Sequence, residues 1–160
     1  MFFDYTIYMN YENEFLSLIS YIICTNNFLK LKKFRHHIKS TIYDHSIKVA
    51  YLCYKHYKRF HLKGDVLELL RGALLHDYYL YDWRIKAPET RLHGIKHPKR
   101  ALNNALRDFH SLTVREIDMI KHHMFPLTLS PPRTHFGWLV CFYDKVAAIS
   151  DYFGKRKKSE

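Results

Sequence analysis

An adjacent histidine and aspartate, His76-Asp77, close the apolar run Val66-Leu67-Glu68-Leu69-Leu70-Arg71-Gly72-Ala73-Leu74-Leu75. A helix made from that run is buried, and a charge at its end needs a partner, because burying it alone is expensive. Candidate partners stand far off in the chain: Asp44-His45 upstream, His97 and His123 in the middle, and Asp144 towards the end. Imidazoles and carboxylates together suit Zn, Mn, Fe, Ni or Mg. One metal centre drawn from several helices is the economical expectation, since facing helices are how bundles build such sites. Singly, each residue has a plainer reading. His45 can be a hydrogen-bonded core side chain. Asp144, inside the apolar stretch Trp138 to Ile149, can be the buried partner of Lys145 or of a distant arginine. The ordered set tips the balance, because each member falls in, or at the end of, a different predicted helix.

The elements that position these groups are helices throughout. Phe15, Leu18, Ile19, Ile22 and Ile23 follow the three-four spacing of an amphipathic helix. Ile42, His45, Val49 and Leu52 share one face of a helix predicted from Ile42 to about Phe60, with Thr41 or Ser40 as its cap. The next helix opens at Asp65 and runs to His76-Asp77. Tyr78 to Lys96, which holds Pro88 and Gly94, is expected to be a loop; loops this long are often functional. Pro98 is placed to open a helix through Leu102, Ala105, Leu106 and Phe109. Thr113-x-x-Glu116 reads as a capping box for a helix over Val114 to His123, and a last helix is predicted from about His135 to Phe153, with Leu139, Val140, Tyr143, Val146, Ala147 and Ile149 as its apolar positions. No strand is predicted, so the fold class is all-α.

With 160 residues and 48% hydrophobic content the chain is expected to be one domain with a real core: a body over about 41–153, an N-terminal helical extension over 1–40 and a basic tail over 154–160. Its 5 Gly and 5 Pro leave room for few turns. Cys24, Cys53 and Cys141 are widely spaced, odd in number and set in apolar patterns, which predicts buried reduced thiols and a cytoplasmic protein. The apolar stretch from Phe15 to Cys24 is too short to span a bilayer, and Met1-Phe2-Phe3-Asp4 does not begin a signal peptide, so no membrane partner is expected. The formal charge is +11, with basic clusters at Lys30–Lys39, Lys55–Lys63, Arg84–Arg100 and Lys155–Lys158. Such charge suits an anionic partner, a nucleotide or a nucleic acid, and equally suits solvated helix faces and a frayed tail.

Three strings occur in order: Tyr43-Asp44-His45-Ser46-Ile47-Lys48-Val49-Ala50, then Gly72-Ala73-Leu74-Leu75-His76-Asp77, then Val140-Cys141-Phe142-Tyr143-Asp144-Lys145-Val146-Ala147-Ala148. On an all-helical chain, this His … His-Asp … Asp order resembles the HD-domain superfamily of metal-dependent phosphohydrolases, over about Thr41 to Phe153. The resemblance implies that His45, His76, Asp77 and Asp144 hold a divalent metal. In branches with two metals the extra ligands correspond to His97 and His123; His122 competes with His123, and a helical step of about 100° keeps both from pointing inward together. It also implies catalysis at His76 and Asp77, with Asp77 bridging two ions or orienting a metal-activated water for attack on a phosphate ester or anhydride. A basic rim of Lys48, Arg84, Lys96 or Lys145 would steady phosphoryl charge. His93 can touch substrate or lie on the surface, with a slight preference for the surface. The rings of Tyr78-Tyr79-Leu80-Tyr81-Asp82-Trp83-Arg84 can stack on a base, with Arg84 meeting a phosphate, or pack the loop onto the core.

The chain departs from nucleotidase-like members, which carry a carboxylate soon after the His-Asp pair; here the nearest acid is Asp82. The Gly-Tyr-Pro signature of the cyclic-dinucleotide branch is absent. The expectation is a cytosolic phosphohydrolase with one or two divalent ions and a nucleotide-like substrate. Its rivals are a catalytically weak module that binds nucleotide or nucleic acid around a structural metal, and a helical protein without metal.

Overall fold

The computed structural model describes residues 5–36 and 40–153. Among them are seven α-helices: α1 (Tyr5–Ile23), α2 (Asn26–Leu29), α3 (Ile42–Arg59), α4 (Val66–Leu75), α5 (His93–Phe109), α6 (Val114–His122) and α7 (His135–Phe153). No strand occurs among the described residues; one isolated bridge joins Arg35 to Thr41. The tail Lys155–Lys158 and Lys39 of the first basic cluster lie outside the described residues. No described helix is long and apolar enough to cross a membrane.

The apolar run becomes the central rod. α4 packs against α1, α3, α5 and α6, while α7 closes the far side against α3 and α6. Leu69, Leu70, Leu74 and Leu75 are fully buried, each stabilising the fold by roughly 1.5–3 kcal/mol. Gly72 lets α4 and α6 approach closely: a Cβ there would lie 2.7 Å from Met119 Sδ and nearer still to its methyl. α1 supplies Phe15, Ile19 and Ile22 to the same core.

Caps fix where the helices start. Thr41 Oγ1 accepts from the Asp44 amide (3.2 Å), and Asp44 Oδ2 accepts from the Thr41 amide (3.0 Å), closing a capping box at α3. Asp44 therefore serves the helix end, exposed and away from the His-Asp groups. Asp65 caps α4 by accepting from the Leu67 amide (2.8 Å). Thr113 and Glu116 form the expected box at α6. Asp118 is a tether the sequence did not suggest. It accepts from the amides of Arg133 and Thr134, the Thr134 hydroxyl and His122 Nδ1, and so joins α6 to the start of α7.

Three expectations need correction. α5 begins at His93, so Pro98 lies inside it. Proline's missing amide forfeits only the bond to Gly94, in the first turn, while Leu92 (φ 59°) swings the chain into the helix and its carbonyl accepts from Ile95 and Lys96. His93 and His97 thereby stand one turn apart on one face. Cys24 is exposed, because the chain turns just after α1; Cys53 and Cys141 are buried thiols. Ile149, expected on the apolar face of α7, is exposed.

Candidate metal centre

Each donor reaches the centre from a different part of the bundle. His45 sits in the first turns of α3, His76 caps the C-terminus of α4 with Asp77 next to it, and His97 lies in α5. His123 caps α6, and Asp144 lies midway along α7. All are buried. They form two overlapping donor sets, His45–His76–Asp77–Asp144 and Asp77–His97–His123, in each of which the ligand atoms lie within 4.8 Å of one another. Asp77 belongs to both. Its Oδ1 lies 3.1 Å from His97 Nε2 and 3.3 Å from His123 Nε2. Its Oδ2 lies 3.6 Å from His76 Nε2 and 3.9 Å from His45 Nε2. Asp144 Oδ1 receives His45 Nε2 at 3.0 Å and lies 3.6 Å from His76 Nε2.

The outer nitrogens set the tautomers. Nδ1 of His76 donates to the Ala73 carbonyl (2.7 Å), Nδ1 of His97 to the His93 carbonyl (3.0 Å) and Nδ1 of His123 to the Ile120 carbonyl (2.9 Å). A carbonyl only accepts, so Nδ1 of each ring carries a proton and Nε2 is the nitrogen that turns inward. Metal-binding histidines are oriented in this way. Two further details fit a cation. His97 Nε2 and His123 Nε2 face each other at 2.8 Å, a separation at which the two nitrogens can share a proton or both face a cation. His76 Nε2 is fully buried with no hydrogen-bond partner among the described residues. The buried His and Asp groups could hold a metal ion.

The electrostatics agree. Burial opposes ionisation of Asp77, yet His76, His123, His36 and His97 outweigh it and hold the carboxyl well below its usual range. Asp144 is likewise depressed against burial by His45 and His76. Burial would lower the His45 imidazole, but Asp144 and Asp151 raise it to about 9. Burial also lowers His123, helped by His97. The carboxylates are ionised and collect positive charge.

A cavity of about 540 Å³ opens onto the centre. Asp77, His97 and Asp144 reach its floor, and Met124, Pro126, Leu127 and Ala148 form an apolar wall. His36, which the sequence reading passed over, lines it too. Its Nε2 lies 3.1 Å from Asp77 Oδ2, and its ring stacks on His45 with centroids 3.8 Å apart. Its backbone is pinned as well: its amide donates to Ser40 O (2.9 Å), and Trp83 Nε1 donates to its carbonyl (3.3 Å). His36 belongs to an irregular segment without periodicity, so no pattern in the sequence could orient it.

The remaining predicted residues divide. His93 faces the cavity rather than the surface, stacked between Trp83 and His97, with Nδ1 2.7 Å from the Tyr81 hydroxyl. Desolvation lowers its pKa to about 4, so the ring is neutral. Tyr78 and Tyr79 pack into the core, whereas Trp83 is 37% exposed at the cavity. His122 is buried like His123, but it turns to Asp118 (2.7 Å). Asp144 does not pair with Lys145; the Lys145 ammonium lines the cavity and donates to the carbonyls of His123 (2.8 Å) and Cys141 (3.0 Å). Lys48 binds Asp151 (2.5 Å) beside α7, outside the cavity. Arg84 is paired with Asp82 (2.5 Å), and neither it nor the exposed Lys96 lines the cavity.

No protein-family model, no curated protein and no solved structure gives a significant match to this chain.

Proposed function

We propose that the protein is a metal-dependent phosphohydrolase of the HD-domain kind, which hydrolyses a phosphate ester or anhydride of a nucleotide-like substrate. The observation that carries this reading is Asp77, shared by two donor sets at the floor of a cavity wide enough for a small ligand. His45, His76, Asp77 and Asp144 would hold one divalent ion, and Asp77, His97 and His123 a second. Such ions, when bound, acidify a water and neutralise phosphoryl oxygens. Asp77, kept ionised, offers one oxygen to each set, and His36 steadies Oδ2 with a hydrogen bond from the cavity side. Met124, Pro126, Leu127 and Ala148 exclude water from around the organic part of the ligand. The Lys145 ammonium, fixed by two carbonyls, adds positive charge at the wall.

The test is a phosphatase screen across nucleotides and generic mono- and diesters with added Mn. Turnover by the native protein and its loss in His76→Ala and Asp144→Ala support the reading. Stoichiometric metal without turnover of any ester would leave a binding module with a structural metal instead.

A further inference from the structure

The sequence suggested Arg84 as the phosphate contact beside the aromatic loop, but its guanidinium is occupied by Asp82. Other cations near the centre are also engaged: Lys48 by Asp151, Lys145 by two carbonyls, and Arg100 over the Tyr81 ring. A second cavity, of about 680 Å³, shares Trp83 with the first and is lined beyond it by Lys86, Ala87, Pro88, Thr90 and Arg91. Lys86 and Arg91 are exposed, and among the described residues neither forms an ion pair. Their loop has a defined shape. Thr90 Oγ1 donates to the Ile85 carbonyl (2.6 Å) and accepts from the Ala87 amide (3.1 Å), around the turn Pro88–Thr90. Trp83 is fixed between the two cavities by stacking on His93 (5.5 Å, 17°) and by its bond to His36.

In order, then, come the carboxylates and imidazoles, an indole, and two uncommitted cations. We propose that Lys86 and Arg91 form an anion subsite, and that the substrate is a nucleotide carrying a second phosphate apart from the scissile one. Its planar base or sugar lies along Trp83, and the second phosphate meets the lysine and arginine. The inference rests on the hydrolytic reading of the centre and narrows its substrate class. Guanidinium and ammonium groups both recognise phosphate, and an aromatic face accepts any base.

The experiment uses the full chain loaded with Mn and two probes, adenosine 5′-monophosphate and adenosine 3′,5′-bisphosphate. Phosphate release gives KM for each. Quenching of Trp83 fluorescence, in a Trp138→Phe background, gives affinity independently of turnover. The subsite predicts a KM and a dissociation constant about tenfold lower for the bisphosphate, an advantage that shrinks as salt is raised. The double variant Lys86→Ala/Arg91→Ala should bring the bisphosphate level with the monophosphate; both side chains are exposed, so the fold tolerates the change. Equal constants for the two probes in the native protein, or a preference that survives the double variant, would overturn the subsite while leaving hydrolysis intact. No turnover of either probe or of any other ester would overturn the hydrolytic reading and the subsite with it.

Discussion

Protons and metal compete for the same nitrogens. His45 is held at about 9, above the ordinary histidine value, so at neutral pH a proton occupies the ring that a cation needs. The affinity for Mn is therefore predicted to rise with pH through neutrality and level off near pH 9, as read by calorimetric titration. The metal-free protein should show the opposite trend in stability. A folded pKa above the unfolded value of about 6.5 gives a contribution complete below pH 6.5 and lost as pH rises through about 9. Asp77 and Asp144, both depressed, stabilise above about pH 3.9, and that contribution fades as pH falls towards their folded values. Thermal melts from pH 4 to 10 with a chelator, then with Mn, read both trends; a flat profile contradicts them. His36 makes a separate prediction. As an outer partner of Asp77, His36→Ala should weaken Mn binding about tenfold with little change in the melting midpoint, and His36→Gln should recover part of the loss. Unchanged affinity in His36→Ala would remove it from the site. The donors themselves were legible because histidine and aspartate are conspicuous on apolar helices. His36 was not, since nothing periodic surrounds it.

At the scale of the element, the centre depends on how closely the rods approach. His76 and Asp77 hang from the C-terminal end of α4, and Gly72 sets the spacing of that helix against α6. Gly72→Ala should force Met119 aside, destabilise the protein by roughly 1–3 kcal/mol in chemical denaturation and weaken metal binding. Denaturation indistinguishable from native would show that the contact yields freely. Asp118 plays a similar part at the other end, where four donors converge on one carboxylate. Asp118→Ala strands buried donors and should destabilise by roughly 3 kcal/mol, with the loop before α7 gaining faster amide exchange. Retained protection at Thr134 would argue against the tether. Helix starts could be read from the caps at Thr41, Asp65 and Thr113, because a side chain three residues on completes or fails to complete each box. The start of α5 could not. Proline at the first helical position is a statistical preference, and here a left-handed Leu92 begins the helix a turn and more earlier.

Across the whole molecule the formal charge is +11, and among the described residues the cavity is lined by one lysine, Lys145, and by no arginine. Two of the four cations expected at its rim, Lys48 and Arg84, are paired with aspartates, and Lys86 and Arg91 line the neighbouring cavity beside Trp83. Which lysine or arginine faces a site depends on how distant helices and loops stack, and a single chain pattern does not encode that. The convergence of α3, α4, α5, α6 and α7 on Asp77 is the feature with the widest consequence. A ligand bound only by the folded chain stabilises it, by about 2.7 kcal/mol at a hundredfold excess over its dissociation constant. Titration of the purified chain with Mn, followed by calorimetry and elemental analysis, addresses that convergence most directly. Two ions per chain are expected in the native protein, one in His97→Ala, and neither held tightly in Asp77→Ala. A native protein that binds no divalent ion, or an Asp77→Ala variant that binds as the native chain does, would contradict a centre shared through Asp77.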